Sequence, residues 1–141
     1  MKQLERFLEA QRADYATALN EIKRGRKQSH WMWYIFPQIE GLGFSSTSKY
    51  YAIKDLQEAE AYAKHPVLGS RLVEICNALL ALETSDANKI FGSPDDMKLR
   101  SSLTLFSQVK DADKVFQNVL NKFFNGTKDD KTLQLLQSAN G

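Results

Sequence analysis

The sequence feature that most constrains the fold is the aromatic segment of residues 29–37, SHWMWYIFP, which contains both tryptophans of the 141-residue chain. Read as a helix, it begins after the capping hydroxyl of Ser29, ends at Pro37 and carries apolar side chains on every side. A helix that is apolar all round is enclosed by other elements. A buried strand is the alternative, because periodicity cannot exclude it in so short a run. The helical character of the flanking segments favours a helix that the rest of the chain surrounds.

The segment before the aromatic segment has helical spacing. Apolar residues recur from position 4 to position 22 at intervals of three and four, which predicts a first helix from about Leu4 to Arg24. Gly25 stands where a left-handed C-terminal cap is expected. The cations that follow, Arg26 and Lys27, are read either as favourable charge at the negative helix end or as an anion site facing the next helix.

After the aromatic segment, the glycines and serines of residues 38–48 predict a loop that can approach a ligand closely. Residues 49–53 are expected to form a short helical turn. Asp55 followed by Glu58 resembles a capping box and predicts a helix through Ala63. Pro66 then opens another helix, whose buried stripe reaches Leu82.

The C-terminal half continues with helix signals. Ser93 and Pro94 predict a helix start, Asp111 or Asp113 opens the next helix, Gly126 ends it, and a short last helix follows position 129. No repeat, linker or convincing strand is evident. The sequence therefore predicts an all-α fold, a single compact, non-repeating multi-helix domain over residues 1–141 that is built around the short aromatic helix.

Composition limits the function classes. A chain of this length can bury a core without a metal or disulfide, and its formal net charge of +2 does not suggest a nucleic-acid partner. No apolar run approaches the ~20 residues of a membrane span, and the N-terminus lacks a signal-like region. The single cysteine, Cys76, lies in an apolar helical pattern that is typical of a buried thiol in a reducing compartment. We expect a cytoplasmic protein without a membrane or nucleic-acid partner.

Metal and phosphate-loop motifs are absent from the sequence. Its two histidines, His30 and His65, have no Cys, His or carboxylate partners at ligand spacing, so no metal or cofactor is expected. The Gly41-Leu42-Gly43 run lacks the third glycine and the following Lys-Ser/Thr of phosphate-binding loops. His65-Pro66 is interpreted as a helix junction.

Three side chains of the aromatic segment are candidates for a ligand site. His30, in the first turn of the predicted helix, could accept a hydrogen bond or act as a general base. Trp31 and Trp33 lie on different sides of a helix, so one is expected to line a pocket while the other fills the core, and the sequence leaves open which. An indole near a cation suits a nucleobase, although aromatic cores are commoner.

A second candidate cluster lies on the helix that follows Pro94. Lys98 is three and four positions from Ser101 and Ser102, so the three side chains share one helix face. A lysine beside two hydroxyls can hold a phosphate or activate a serine. The plainer interpretation is that the serines permit close helix packing while Asp95 and Lys98 form an exposed ion pair.

Segments along nearly the whole chain resemble a bacterial family catalogued as domain of unknown function 1810. The resemblance is carried by residues 30–38 (HWMWYIFPQ), 41–43 with Ser45, 58–62 (EAEAY), 65–72 (HPVLGSRL) and 96–106 (DMKLRSSLTLF). It implies an all-α single domain and no known activity. Members often carry the label calpastatin, which does not suit this chain, because the calpain inhibitor of that name is disordered and repetitive. Leu103 stands where methionine is expected, a volume-conserving change.

Together these residues predict a pocket where the start of the aromatic helix, the following loop and the Lys98 helix converge. The ligand is expected to be small, anionic and nucleotide-like, with ADP-ribose one example, and the sequence does not decide whether it is also processed. The predicted ligand-binding residues are His30, Trp31, Trp33, Gln38, Ser45, Lys98, Ser101 and Ser102. The alternative is a non-enzymatic protein-interaction module, with an exposed apolar surface and no small-molecule site.

Overall fold

The structure is a computed structural model that describes residues 2–140. Over these residues it contains one 3₁₀ turn and nine α-helices, in the order 3₁₀ turn Lys2–Leu4, α1 Glu5–Lys23, α2 Met32–Ile35, α3 Ser46–Tyr50, α4 Leu56–Lys64, α5 Leu68–Leu80, α6 Ala87–Phe91, α7 Asp95–Ser107, α8 Lys114–Phe124 and α9 Asp130–Asn140. The predicted all-α fold is confirmed. Within the described range, no helix is both long enough and apolar enough to cross a membrane.

Aspartate side chains cap four of these helices. Asp55 caps α4, Asp86 caps α6, Asp113 caps α8 and Asp129 caps α9, each by accepting a hydrogen bond from a backbone N–H of the first turn. The capping box predicted at Asp55 is only half formed. Glu58 accepts from the N–H of Lys54 at 2.8 Å instead of reaching back to the N–H of Asp55.

The aromatic segment is helical over fewer residues than the sequence predicts. The N–H and the hydroxyl of Ser29 both donate to the carboxylate of Glu21, at 2.9 and 2.6 Å, and the N–H of Gln28 donates to it at 2.8 Å. Ser29 does not cap the helix, because α2 starts only at Met32 and the bonds to Glu21 hold Ser29 in the bend that precedes it. α2 begins only after Trp31 and ends before Phe36, whose φ of −126° is not helical.

The loop after the aromatic segment is closed by a single backbone pairing. Ile39 and Ile53 form an isolated parallel β-bridge, in which Ile53 donates to the carbonyl of Gln38 and Glu40 donates to that of Ile53, both at 2.8 Å. The short helix expected at residues 49–53 occurs earlier, as α3, because Ser45 accepts from the backbone N–H three residues on and caps it. The bridge fixes both ends of this loop.

Two prolines stand before helices instead of inside their first turns. α5 begins two residues after Pro66, and the Nδ1 atom of His65 accepts from the N–H groups of Val67 and Leu68 at 3.1 and 3.2 Å. These bonds agree with the interpretation of His65 as part of a helix junction. Similarly, α7 begins after Pro94, so the hydroxyl predicted to cap it lies one residue too early.

The helices surround one hydrophobic core. α7 packs against α4, α6, α8 and α9, whereas α1 packs against α2 and α5. Cys76 lies in this core, where burial and the nearby charge of Asp113 raise the pKa of its thiol. The largest fully buried side chains are those of Phe7, Trp31, Phe36, Tyr62, Phe106 and Phe116.

Candidate functional site

A cavity of about 420 Å³ opens where the aromatic segment, the loop of residues 41–48, α7 and the start of α9 meet. Its volume lies within the range of small-molecule sites. We call it the Trp33 cavity. Its lining residues are Trp33, Gln38, Leu42, Gly43, Phe44, Ser45, Ser48, Lys98, Ser101 and Asp129.

Five of the eight side chains predicted as ligand contacts line this cavity: Trp33, Gln38, Ser45, Lys98 and Ser101. They come from three separate parts of the chain, namely the aromatic segment with the residue after it, the loop, and α7. The fold therefore brings together residues that are far apart in sequence.

The other three predicted residues lie elsewhere. His30 is exposed, and its carbonyl accepts from the hydroxyl of Tyr34 at 3.3 Å. Ser102 is fully buried on α7, and its hydroxyl has no hydrogen-bond partner among the described residues. Trp31 is 0% exposed, whereas Trp33 is half-buried against the cavity. Trp31 is thus the core tryptophan and Trp33 the cavity tryptophan.

Lys98 is held between an aromatic ring and a carboxylate. Its ammonium lies 5.3 Å from the centre of the Trp33 ring and 3.3 Å from Asp95 Oδ1. The other oxygen of Asp95 lies 3.0 Å from the ammonium of Lys27, whose side chain is only 9% exposed. Asp95 therefore positions Lys98 at the cavity wall, and the pair is more than the exposed i,i+3 contact of the plainer interpretation.

Lys27 extends this arrangement to the core tryptophan. Its ammonium lies 5.1 Å from the centre of the Trp31 ring and donates to the carbonyl of Ser29 at 2.6 Å. Two lysines thus lie beside the two tryptophans, with Asp95 between them. The sequence suggested that Lys27 is either a charge at a helix end or part of a free anion site. Neither interpretation describes a side chain that is buried and paired with Asp95 and the carbonyl of Ser29.

Glu21 holds the start of the aromatic segment in place. Trp31 Nε1 donates to its Oε1 atom at 2.9 Å, in addition to the three donors at Gln28 and Ser29. Burial alone would raise the pKa of Glu21, but the hydrogen bonds from Ser29, Gln28 and Trp31 together outweigh burial and lower the pKa from 4.5 to about 2. A carboxylate that favours its charged form so strongly fixes the segment leading into Trp33.

On the side of α9, Ser101 and Asp129 form a polar wall of the cavity. Ser101 Oγ donates to Asp129 Oδ2 at 2.9 Å, and Thr132 Oγ1 donates to the same oxygen at 2.5 Å. Arg100 lies 3.8 Å from the other carboxylate oxygen. Asp129 is therefore committed to holding α9 against α7, and Ser101 presents a fixed hydroxyl to the cavity.

Across the cavity, the loop of residues 41–48 is locked near Ser48. A Cβ atom added to Gly43 would lie 2.5 Å from Ser48 Oγ and 2.6 Å from Ser48 Cβ, so the close approach requires glycine. Ser48 Oγ also donates to the carbonyl of Ser45 at 2.9 Å. Between these two fixed points, Phe44 is 86% exposed at the cavity mouth.

The lining of the cavity carries one cation and one carboxylate, Lys98 and Asp129. Asp129 is bound to Ser101 and Thr132 on the side of α9, whereas the ammonium of Lys98 lies beside the Trp33 ring. The lining is therefore balanced in charge, with its cation next to the aromatic ring. Within the described part of the chain, no group of three or more His, Cys, Asp or Glu side chains could hold a metal ion. The arrangement is suited to holding an anion beside an aromatic ring.

Three larger cavities have less suitable linings. One, of about 470 Å³, is lined by Leu56, Gln108, Leu133, Leu136 and Gln137, without a charged group. The other two have volumes of about 580 and 650 Å³. Neither contains a tryptophan, and in each the carboxylates outnumber the cations. The first is lined by Glu74, Asp111 and Asp113 against Lys64 and Lys110, with His65 at its edge; the second by Glu5, Glu9, Glu40 and Glu58 against Arg6, Lys49 and Lys54. Volume alone would favour them, but an anionic ligand is better matched by the Trp33 cavity.

Sequence reasoning missed several residues of the Trp33 cavity. Asp129 has only a helix-start signal, and Ser48 and Leu42 have the character of ordinary loop residues. Phe44 had a usable signal, because it is a single aromatic residue within a run of glycine and serine. Such a side chain has little local core to join, which indicates an exposed ring available for binding.

Fold and cavity together define a small all-α protein with a polar, tryptophan-lined cavity. A family profile described as "Protein of unknown function (DUF1810)" matches residues 1–136, and the chain belongs to this family. The solved structures include a similar chain, the conserved hypothetical protein Rv1873 from Mycobacterium tuberculosis. It is 42% identical, with a TM-score of 0.92 over 95% of this chain and 96% of that chain. Among curated proteins, none matches significantly.

Proposed function

We propose that the protein binds a small anionic ligand of nucleotide or ADP-ribose type in the Trp33 cavity. The observation that carries the proposal is that five of the eight residues selected from the sequence line one cavity. In this proposal the protein is cytoplasmic, as the sequence predicts, and the ligand is a metabolite of that compartment.

Each group of the cavity has a role in this proposal. Lys98 supplies a charge-assisted hydrogen bond to a phosphate, and Asp95 holds its ammonium in position. The hydroxyls of Ser45 and Ser101 and the amide of Gln38 orient the remaining polar groups of the ligand. Trp33 provides apolar surface beside the ammonium of Lys98, the cation that lines the cavity.

Calorimetric titration of the purified protein with AMP, ADP and ADP-ribose tests the proposal, with adenosine as the uncharged comparison. Phosphorylated ligands are expected to bind and adenosine to bind at least tenfold more weakly. Loss of a charge-assisted hydrogen bond costs about 1.5–3 kcal/mol, so Lys98→Gln should weaken binding roughly 10- to 150-fold. Lys114→Gln, which removes an exposed lysine far from the cavity lining, is the matched control.

The absence of binding by folded wild-type protein at millimolar ligand would refute the proposal. It would also fail if Lys98→Gln and Lys114→Gln bound phosphorylated ligands equally well. Chromatography of the ligand after incubation with the protein then tests for processing, since an unchanged ligand identifies a binding protein and a converted one an enzyme.

A protein-interaction role is the second candidate, and two exposed aromatic side chains favour it. Phe44 and Tyr50 are 86% and 60% exposed. Such residues are common in protein interfaces. Sedimentation analysis and pull-down with wild type and a Phe44→Ala, Tyr50→Ala double variant distinguish the candidates. Capture of a partner that the double variant loses supports this role, whereas a monomer that captures nothing but binds a nucleotide refutes it.

A further inference from the structure

The face of Trp33 in the cavity is already shared with a cation. The Lys98 ammonium lies over the ring at 5.3 Å and is anchored there by Asp95 at 3.3 Å. A planar ligand ring that stacked fully on this face would displace the ammonium, and an anionic ligand would then lose its strongest charged contact. Trp33 is thus not a free stacking platform.

Phe44 is the other aromatic side chain that lines the cavity, and its ring is largely unpacked. Among residues 2–140, no backbone group of residues 41–44 takes part in a backbone hydrogen bond. Leu42 beside it is half-buried against the core, and Gly43 is pressed against Ser48. After Phe44, the backbone is held by the Ser45 cap of α3. The loop is therefore anchored on both sides of a ring that can reorient by side-chain rotation.

We infer that Phe44 is the residue that selects ligands with a planar ring, by covering that ring while Lys98 holds the anionic group. This inference rests on the proposed function and adds which residue recognises the base: a phosphate ester that carries an aromatic base is bound in preference to a sugar phosphate. Covering the ring also removes from water a phenyl side chain that is otherwise 86% exposed.

The test compares two probes that differ by the base, AMP and ribose 5-phosphate, on four proteins: wild type, Phe44→Ala, Phe44→Trp and Tyr50→Ala. Stacking of a base on an aromatic side chain is worth about 1–3 kcal/mol, which corresponds to roughly 5- to 150-fold in affinity. Phe44→Ala should weaken AMP binding by this factor and leave ribose 5-phosphate within twofold of wild type. Phe44→Trp should restore the preference for AMP.

Tyr50→Ala controls for the loss of an exposed aromatic residue, because Tyr50 does not line the Trp33 cavity. Neither Phe44 nor Tyr50 is buried, so both alanine variants are expected to fold. Equal AMP affinity for wild type and Phe44→Ala overturns the inference, as does an equal loss of both probes. In those cases the proposed function stands, since wild type still binds. If wild type binds neither probe, the proposed function and this inference both fall.

Discussion

Replacement of Trp31 by alanine tests the architecture most directly. Its ring is fully buried, with the rings of Phe36 and Phe91 at centroid distances of 6.3 and 6.4 Å, and its Nε1 atom donates to Glu21. Truncation of a buried tryptophan costs about 3–5 kcal/mol. A hydrogen bond to a charged group adds about 1.5–3 kcal/mol, reduced here because Glu21 keeps three other donors.

We therefore expect Trp31→Ala to lower the free energy of unfolding by about 5 kcal/mol, a large part of the ~5–15 kcal/mol of a typical domain. Trp31→Phe keeps a ring in the core but loses the indole donor, and about 2 kcal/mol is expected. Trp33→Ala removes a half-buried side chain at the cavity wall and should cost only about 1–2 kcal/mol of stability, while weakening ligand binding through the loss of apolar surface.

Urea unfolding followed by far-ultraviolet circular dichroism measures these differences, since tryptophan fluorescence changes with the substitutions themselves. With a slope of about 2 kcal/mol per molar urea, Trp31→Ala should move the midpoint down by about 2–3 M. A midpoint equal to that of wild type would refute the enclosure of Trp31. An equal loss in Trp31→Ala and Trp33→Ala would refute the assignment of one tryptophan to the core and the other to the cavity.

Two further predictions concern stability. Because the pKa of Glu21 is lower in the folded protein than its ordinary value of 4.5, its stabilising contribution is fully present above about pH 4.5 and is lost as the pH falls towards 2. That contribution is about 3 kcal/mol, so Glu21→Gln should be less stable than wild type near pH 7, and the difference in stability should shrink on acidification. The exposed Glu83→Gln is the control. A difference that stays constant with pH, or a similar loss of stability in Glu83→Gln, would show that the lowered pKa of Glu21 is not the cause. Gly69→Ala would place a Cβ atom 2.0 Å from the backbone oxygen of Ala63, so α4 and α5 must separate. We expect Gly69→Ala to lower the free energy of unfolding, measured in urea, by about 2–3 kcal/mol. Gly25→Ala should lower it by about 1 kcal/mol, because Gly25 has open space around it but a φ of +78°. Equal losses in the two variants would show that the close contact at Gly69 is not decisive.

Most of the helical order could be predicted because its signals are local. Asp55, Asp86 and Asp113 cap helices through bonds to their own first turns, and apolar spacing marks each buried face. The aromatic helix was predicted too long because the competing interaction is not local. Ser29 has the side chain of a cap, but the hydrogen bonds from Gln28 and Ser29 to Glu21 on the preceding helix hold the chain in a bend, so α2 starts later. No pattern within residues 29–37 records that partner.

Only some of the residues that line the cavity could be predicted from the sequence, for a similar reason. Lys98 and Ser101 share a helix face, and that spacing predicts their neighbourhood correctly. Ser102 was proposed from the same spacing, four positions after Lys98, but it faces the core, so the spacing was wrong for it. His30 was proposed from its side-chain chemistry and chain position, yet the actual turn before α2 leaves it exposed. Asp129 enters the cavity from a distant part of the chain. Such contacts depend on helix packing, which spacing alone does not specify.

The β-bridge between Ile39 and Ile53 fixes the two ends of the loop at the cavity mouth, whatever side chains that loop carries. Two backbone hydrogen bonds, each 2.8 Å long, clamp the stem of the loop without using any side chain. The closure entropy of a clamped loop changes only slowly with its length. Tyr51 and Ala52 still pack against Phe7 and Arg6 of α1, so the freedom is confined to the outer part of the loop, where substitutions can reshape the cavity mouth while Lys98 and the helices behind it stay where they are.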